Sequence, residues 1–253
     1  MSVVILAAGR GSRLMPLTKD LPKGLVKFND KSIIDYTIEN FYNLGIRDIL
    51  IVTGYKSNKF KSYNLKKINN DFFSQTNMLY SLWLTKNHIN LNEDLYISYS
   101  DIIFKKSILK KLIKSTKNIS VVADKNWSDL WKIRYDDYIN DVESFVSKNK
   151  KIIDIGRKTK KIEDIQAQYI GLIKVSKEFV SNFFLLIKKI KEKNYLKFKK
   201  MYLTDFLQFL INENIFVYPV YIKNGWIEID SYDDYLAYFN KLNKNCFNAH
   251  FQK

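Results

Sequence analysis

The feature that most constrains the fold of this chain is an unbroken apolar run at residues 3–8, which passes directly into Gly9-Arg10-Gly11. A short apolar run without polar interruption is typical of a strand buried on both faces, as in a parallel sheet. Gly9 and Gly11 allow the loop to adopt positive φ and to approach a ligand closely. The chain is therefore predicted to begin with a parallel strand that ends in a tight, glycine-containing loop.

Cationic side chains surround this loop. Arg10, Arg13 and Lys23 lie near backbone N–H groups that have no strand partner, and this combination favours binding of a polyphosphate. The G-x-G fragment alone is a weak signal, since it matches neither the G-x-G-x-x-G motif nor the P-loop. The alternative interpretation is an ordinary strand and turn with solvated basic residues.

Length and composition indicate a folded α/β chain. The 253 residues are 46% apolar and 15% aromatic, which argues against disorder and fits a single domain over residues 1–253 or one domain with an added subdomain. Cys246 is the single cysteine, so neither a disulfide framework nor a cysteine-rich zinc site is expected. No basic-apolar leader and no apolar run of membrane-spanning length are present, so we expect a cytoplasmic protein.

The formal net charge is +16, which raises the question of nucleic-acid binding. The lysines are scattered among asparagine and isoleucine, and no zinc finger, helix-turn-helix or RNA-recognition motif accompanies them. We therefore interpret the basic surface as one that attracts a highly anionic nucleotide.

Residues 32–55 complete a βαβ unit. Ser32 is a suitable N-cap for an amphipathic helix that ends near Gly45. Residues 49–55 then form a second apolar strand. This order implies a parallel sheet with a right-handed crossover and a ligand crevice at the carboxyl ends of the strands.

Two aspartates lie on later predicted strands. Asp101 lies at the same predicted sheet edge as the glycine loop, although a lone aspartate there is often only a cap. Near the C-terminus, a period of two places Trp226, Glu228 and Asp230 on one face of a strand. Such carboxylates are costly to bury without a cation, and the alternative is an edge strand with this face in water. Residues 233–234 suit the first turn of the next helix and need no other role.

The middle of the chain changes pattern. Segments at 131–135, 142–146 and 152–156 largely alternate and are separated by polar turns, so we predict an antiparallel lid within about residues 127–165. Residues 56–70 are predicted as a short helix and a connection. One helix is predicted to begin at a cap residue, Thr76 or Asn77, and to have Leu79, Leu82 and Trp83 on its apolar face. Further helices are predicted at 105–115, 176–191 and about 202–213, and strands at 94–101, 119–124, 166–175 and 215–222.

Three motifs carry a family resemblance. The string L-A-A-G-x-G-x-R-L, followed by P-L-T and P-K, closely resembles the signature of nucleotidyltransferases that activate phosphorylated small molecules. N-x-x-Y-S-L from Asn77 resembles the phosphocholine cytidylyltransferase segment that replaces P-x-G-T-A of sugar-phosphate enzymes. W-x-E-I-D at 226–230 resembles a further family string. The resemblance implies a Rossmann-like, three-layer α/β fold with a mainly parallel central sheet and a small antiparallel lid.

The resemblance also implies a site for CTP and Mg²⁺. Asp101 and Asp230 would hold one Mg²⁺ ion. Lys23 would contact the α-phosphate, and Arg13 would help to hold the β- and γ-phosphates. The residues implied to bind the nucleotide are Leu6, Ala7, Ala8, Gly9, Arg10, Gly11, Ser12, Asn77 and Ser81.

For the acceptor, an aromatic and acidic pocket would suit an ammonium-bearing molecule. The candidate residues are Trp131, Gln168, Tyr169, Trp226 and Glu228. In the alternative interpretation the aromatic residues belong to the core. Phosphocholine, phosphoethanolamine, 2-aminoethylphosphonate and an amino-acid-derived phosphoramidate are all compatible. Gln168 stands where a glutamate is common in the family, which favours the last of these, and the chain resembles CTP:phosphoglutamine cytidylyltransferases of capsular phosphoramidate synthesis.

We therefore interpret the chain as a Mg²⁺-dependent cytidylyltransferase that transfers CMP from CTP to a small phosphorylated zwitterion and releases pyrophosphate. The expected partners are CTP and a phosphate- or phosphonate-bearing acceptor; neither nucleic acid nor membrane is expected, and a homodimer is left open. The rival interpretations are a sugar-1-phosphate nucleotidyltransferase and a non-catalytic nucleotide- or nucleic-acid-binding module. Lys23, Asp101 and Asp230 together favour an enzyme.

Overall fold

Strand pairing brings together apolar segments that are far apart in the sequence. The computed structural model describes residues 1–135 and 138–241, except for the side chains of Tyr138, Asn140 and Lys241, so Cys246 lies outside the described residues. The strands are β1 (Ser2–Ala7), β2 (Lys27–Phe28), β3 (Lys31–Ser32), β4 (Asp48–Thr53), β5 (Lys66–Asn69), β6 (Leu95–Tyr99), β7 (Ile102–Phe104), β8 (Ile119–Asp124), β9 (Glu143–Lys148), β10 (Lys151–Lys158), β11 (Gln168–Val175), β12 (Tyr218–Ile222) and β13 (Trp226–Glu228). The α-helices are α1 (Ile33–Tyr42), α2 (Met78–Trp83), α3 (Lys106–Ile113), α4 (Trp127–Arg134), α5 (Lys177–Lys193), α6 (Tyr195–Phe198), α7 (Leu203–Asn212) and α8 (Tyr232–Lys241).

The central sheet has seven strands in the order β12-β8-β11-β6-β1-β4-β5. β1 pairs in parallel with β4, from Ser2 opposite Asp48 to Ala7 opposite Thr53, and in parallel with β6 on its other side. β11 is antiparallel to both of its neighbours, β6 and β8. The edge strand β12 pairs in parallel with β8, and the edge strand β5 pairs in parallel with β4. The prediction of a mainly parallel sheet is confirmed, and the carboxyl ends of β1, β4 and β6 meet at one edge.

Helices cover both faces of this sheet. Successive side chains of β1 point to opposite faces, so Val3 and Ile5 join one apolar cluster while Val4 and Leu6 join the other. Residues of α1, α3, α4 and α8 pack in the first cluster, and residues of α2, α5 and α7 in the second. Each fully buried large apolar side chain contributes about 1.5–3 kcal/mol, which fixes the helices on the sheet. This is the three-layer α/β arrangement that the resemblance implies.

α1 begins and ends where its sequence signals predict. The Ser32 N–H donates to the Asp35 carboxylate at 3.1 Å, and the two residues form a capping box. Gly45 follows the helix with a φ of +77°, a conformation that glycine adopts readily. The βαβ unit predicted from residues 32–55 is therefore confirmed.

Two segments fold differently from the prediction. Residues 66–69 form the edge strand β5, paired with β4, in place of a connection. Residues 131–134 belong to helix α4, so the strand predicted at 131–135 is wrong. The buried residues of α4 have helical spacing and are Trp127, Leu130, Trp131 and Arg134. The other two predicted lid segments do form an antiparallel hairpin, β9–β10, while residues 136–137 of the predicted lid lie outside the described chain.

We predict that Gly171 in β11 is required for steric reasons. It has a φ of +84°, and a Cβ there would lie 2.7 Å from the Tyr99 ring. Gly45 has a similar φ but open space around it, which makes it a matched control. Gly45→Ala should cost about 1–2 kcal/mol through backbone strain. Gly171→Ala should cost about 1–3 kcal/mol more, because the Tyr99 ring must move. Urea unfolding measures both, and equal losses would contradict the steric account.

Candidate active site

The loop after β1 folds tightly enough to admit the Lys23 side chain. Gly11 has a φ of +70°, and a Cβ there would lie 2.8 Å from the Lys23 Cβ, so this close approach requires glycine. The Thr18 hydroxyl donates to the Gly11 carbonyl at 2.7 Å, and the Leu14 N–H donates to the same carbonyl at 2.9 Å. These contacts hold the loop beside the carboxyl end of β1.

Lys23 lies between two carboxylates from distant parts of the chain. Its ammonium donates to Asp101 Oδ2 at 2.7 Å and also to Asp230 Oδ1, while Arg13 pairs with Asp230 Oδ2. The side chains of Lys23, Asp101 and Asp230 are only 11, 12 and 15% exposed. Burial alone would lower the pKa of Lys23, but the two carboxylates outweigh it and raise this pKa. The structure thus brings together all four residues predicted to be catalytic.

The oxygens of Asp101 and Asp230 fit a hard divalent cation. Asp101 Oδ1 is buried and has no hydrogen-bond partner, which is costly for a carboxylate oxygen. Mg²⁺ beside phosphates is typically held by one or two carboxylates together with phosphate oxygens and waters. Within residues 1–135 and 138–241, no group of three or more His, Cys, Asp or Glu side chains could hold a metal ion. The donor set therefore suits an ion that also binds ligand oxygens.

A first cavity of about 280 Å³ opens between the glycine loop and α2. Its lining consists of Leu6, Ala8, Gly9, Gly11, Ser12, Arg13, Lys23, Asn70, Phe73, Thr76, Asn77, Met78, Ser81, Tyr99, Ser100, Asp101 and Asp230. Most residues predicted to bind the nucleotide are included. Ala7 instead packs in the apolar cluster on the opposite face of β1, and the Arg10 guanidinium lies 5.3 Å from the centre of the Tyr55 ring. These two lie outside the cavity lining.

Asn70 is a cavity residue that the sequence analysis missed. It is 1% exposed, and its amide donates to the hydroxyls of Thr76 at 2.9 Å and Ser81 at 3.0 Å. Asn77, in contrast, accepts from the Met78 N–H at 2.8 Å and caps α2. Asn70 directly follows β5 at the carboxyl edge of the sheet. Prediction of β5 would therefore have identified Asn70 as a site residue, in the same way that the strand ending near Asp101 identified that aspartate.

A second cavity of about 380 Å³ adjoins the first at Asp101 and Asp230. The predicted acceptor residues in its lining are Trp131, Gln168, Tyr169 and Glu228. Trp226 differs, because it is 1% exposed and its indole N–H donates to Asp124 at 2.9 Å. Its ring centre lies 6.2 Å from that of Trp131. Trp226 thus lies in the core beneath the cavity, as the alternative interpretation of the aromatic residues allowed.

Arg134 organises the acidic segment around Asp230 and was not identified from the sequence. Its side chain is fully buried and donates to both carboxylate oxygens of Asp234, at 2.9 and 3.1 Å, and to Glu228 at 2.8 Å. Asp234 also accepts from the N–H groups of Asp230 at 3.0 Å and Ser231 at 2.9 Å. The expectation that Asp234 needs no role beyond the first helical turn is therefore wrong, since it holds the loop that carries Asp230.

We predict that Asp234→Ala destabilises the fold by about 3–5 kcal/mol, because it breaks a buried ion pair and removes the acceptor for two backbone N–H groups. Asp233 is exposed in the same helical turn, so Asp233→Ala is the matched control and should change stability by no more than about 0.5 kcal/mol. Urea unfolding of the two variants tests this difference. Similar losses in both would show that the Arg134–Asp234 pair is not a major support.

Comparisons with known proteins identify the family of this chain. The family model described as nucleotidyl transferase matches residues 2–245. The chain is 38% identical over 246 residues to CTP:phosphoglutamine cytidylyltransferase of Campylobacter jejuni, which covers 92% of this chain and 97% of the relative. The solved CTP:phosphocholine cytidylyltransferase of Streptococcus pneumoniae has a TM-score of 0.73 and 25% identity, covering 96% of this chain and 99% of that one. The inositol-1-phosphate CTP transferase of T. maritima, at 22% identity over 98% of this chain and 94% of its own, shares the fold with a TM-score of 0.74. The chain therefore belongs to the nucleotidyl transferase family of enzymes.

Proposed function

We propose that the protein is a Mg²⁺-dependent cytidylyltransferase that transfers CMP from CTP to a small phosphorylated zwitterion and releases pyrophosphate. The observation that carries this proposal is the convergence of Lys23, Asp101 and Asp230 where the two cavities meet. Relatives named as CTP:phosphoglutamine and CTP:phosphocholine cytidylyltransferases support CTP as the donor and a small phosphorylated zwitterion as the acceptor.

CTP would occupy the first cavity. The backbone N–H groups of residues 9–12 and the Arg13 guanidinium would bind the β- and γ-phosphates, since both are suited to anions. Asn77 and Ser81 line the same cavity from α2 and would lie beside the base. Asn70 donates to the Ser81 hydroxyl, so it would hold this side of the nucleotide site in place.

In the reaction, an oxygen of the acceptor phosphate attacks the α-phosphorus of CTP. The new O–P bond forms while the bond from the α-phosphorus to the bridging oxygen breaks, and that electron pair leaves with pyrophosphate. The attacking group and the electrophile are both anionic, so positioning and charge neutralisation carry most of the catalysis. The Lys23 ammonium would stabilise the growing charge on the α-phosphate. No general base is required, because the attacking oxygen is already an anion.

Asp101 and Asp230 would be the protein ligands of Mg²⁺. When bound, the ion neutralises charge on the phosphate oxygens beside it. Metal binding requires ionised carboxylates. Burial would raise the pKa of Asp230, but Lys23 and Arg13 outweigh it and lower this pKa. The two cations therefore keep Asp230 in the form that the proposal requires.

We further propose a cytoplasmic enzyme that acts as one nucleotidyltransferase domain, with the β9–β10 hairpin as a lid on the acceptor side. In the part of the chain that the structure describes, no helix is long and apolar enough to cross a membrane. The family model extends over residues 2–245, which supports a single functional unit.

A nucleotide-by-acceptor panel tests the reaction. We expect pyrophosphate release with CTP and Mg²⁺ when phosphoglutamine or phosphocholine is the acceptor, and little with ATP, GTP or UTP. Glucose 1-phosphate should be a poor acceptor. Turnover only with a sugar 1-phosphate would reject the proposal in favour of a sugar nucleotidyltransferase.

Substitutions in the ion cluster test its role in the chemical step. We expect Asp101→Asn and Asp230→Asn to lower kcat by about 100-fold or more at unchanged folding, since each weakens charge neutralisation at the phosphates. Lys23→Ala should lower kcat far more than it weakens CTP binding. Asp233→Asn and Lys27→Ala alter exposed neighbours and should retain normal rates. Single-turnover kinetics with CTP-binding measurements separate these effects, and near-normal rates in either aspartate variant would contradict the assignment.

A further inference from the structure

Some charged side chains that line the second cavity form ion pairs within the protein, and others do not. Asp101 and Asp230 pair with Lys23, and Glu228 pairs with Arg134. Glu143 and Lys158 line the same cavity, yet neither takes part in an ion pair with another residue of the described ranges. These two opposite charges therefore remain available to a ligand.

Glu143 and Lys158 lie side by side on the β9–β10 hairpin. They are directly opposite each other in the antiparallel register, so their side chains stand on the same face of the hairpin. Gln168 fixes this end of β9, because its amide donates to the Glu143 carbonyl at 2.6 Å and its carbonyl oxygen accepts from the Glu143 N–H at 3.5 Å. Gln168, which was predicted to bind the acceptor substrate, thus holds the backbone of Glu143 in place.

The surroundings of Glu143 favour a bound cation. Glu143 is an exposed residue of the cavity lining. Partial desolvation there and the nearby carboxylates of Asp205 and Asp141 together raise the pKa of Glu143 to about 7, whereas the Lys158 ammonium opposes this shift without outweighing it. A positive group placed against Glu143 would relieve both effects, because it favours the ionised carboxylate.

Trp131, the tryptophan of this cavity lining, is poorly disposed toward a quaternary ammonium group. Such a group has no N–H to donate and is bound mainly by exposed aromatic faces. Trp131, however, is only 4% exposed. The Arg134 guanidinium lies 5.0 Å from its ring centre, and the rings of Trp127 and Trp226 pack at 5.9 and 6.2 Å. The Trp131 ring is therefore engaged with other protein groups.

We propose that Glu143 and Lys158 bind an α-amino acid headgroup on the acceptor, with Glu143 accepting from its ammonium group and Lys158 donating to its carboxylate. The two charges of an amino acid are carried by one carbon atom, which matches two opposite charges on neighbouring positions of one hairpin face. The inference rests on the proposed function and narrows it to a phosphorylated amino acid. Glu143 and Lys158 are then the residues that determine acceptor specificity.

The test compares three acceptors with the full chain, CTP and Mg²⁺, with pyrophosphate release as the readout. The acceptors are phosphoglutamine, its analogue without the α-carboxylate, and phosphocholine. Lys158→Met should raise KM for phosphoglutamine by about 10- to 100-fold, as expected for loss of a charged hydrogen bond. It should change KM for the analogue less than about threefold. Glu143→Gln should raise KM for both acceptors that carry a primary ammonium group.

The controls are Lys148→Met, at the far end of the same hairpin, and Glu163→Gln, both at exposed positions. They should leave KM for every acceptor unchanged. Equal effects of Lys158→Met on acceptors with and without the carboxylate would overturn the amino acid assignment, as would a wild-type preference for phosphocholine. Absence of turnover with all three acceptors in the wild type would instead reject the proposed function itself.

Discussion

The geometry of the candidate site depends above all on one buried ammonium group that joins two carboxylates. Lys23 contacts Asp101 and Asp230, and each of the three side chains is largely removed from water. Desolvated charges are stable only when they are closely paired, and removal of one partner leaves an uncompensated charge. The cluster therefore fixes the relative positions of the glycine loop, the end of β6 and the segment after β13, and the two cavities meet at this point.

The fold supplies this cluster from three distant parts of the sequence. Parallel pairing places the ends of β1 and β6 at one edge, which sets Asp101 beside the glycine loop. Asp230 needs a further support, because it lies in the loop beyond β13. Asp234 accepts from its backbone N–H, and Arg134 holds Asp234 from α4, 100 residues earlier. The same guanidinium also binds Glu228, so one buried cation holds Glu228 in the second cavity and, through Asp234, the loop that carries Asp230.

Much of the site could be predicted from local sequence, and the residues that could not be predicted share one physical reason. The apolar run before Gly9 and the aspartate after β6 are local signals, so the sheet edge and the position of Asp101 follow from them, whereas the role of Asp230 was inferred from the family resemblance of residues 226–230. Residues 131–135 alternate with a period of two, whereas the buried residues of 127–134 have a helical spacing, and the packing of Trp131 on the core favours the helix. Arg134 and Asn70 could not be identified, because the importance of each lies in partners that only the folded chain brings close.

The most direct test of the central claim is a crystal structure of the protein with CTP and Mn²⁺, with the ion located by its anomalous scattering. The account predicts one strong peak between the carboxylates of Asp101 and Asp230, with the triphosphate along the loop of residues 9–13. A peak elsewhere, with the two carboxylates still bound only to Lys23 and Arg13 beside a fully bound nucleotide, would contradict it.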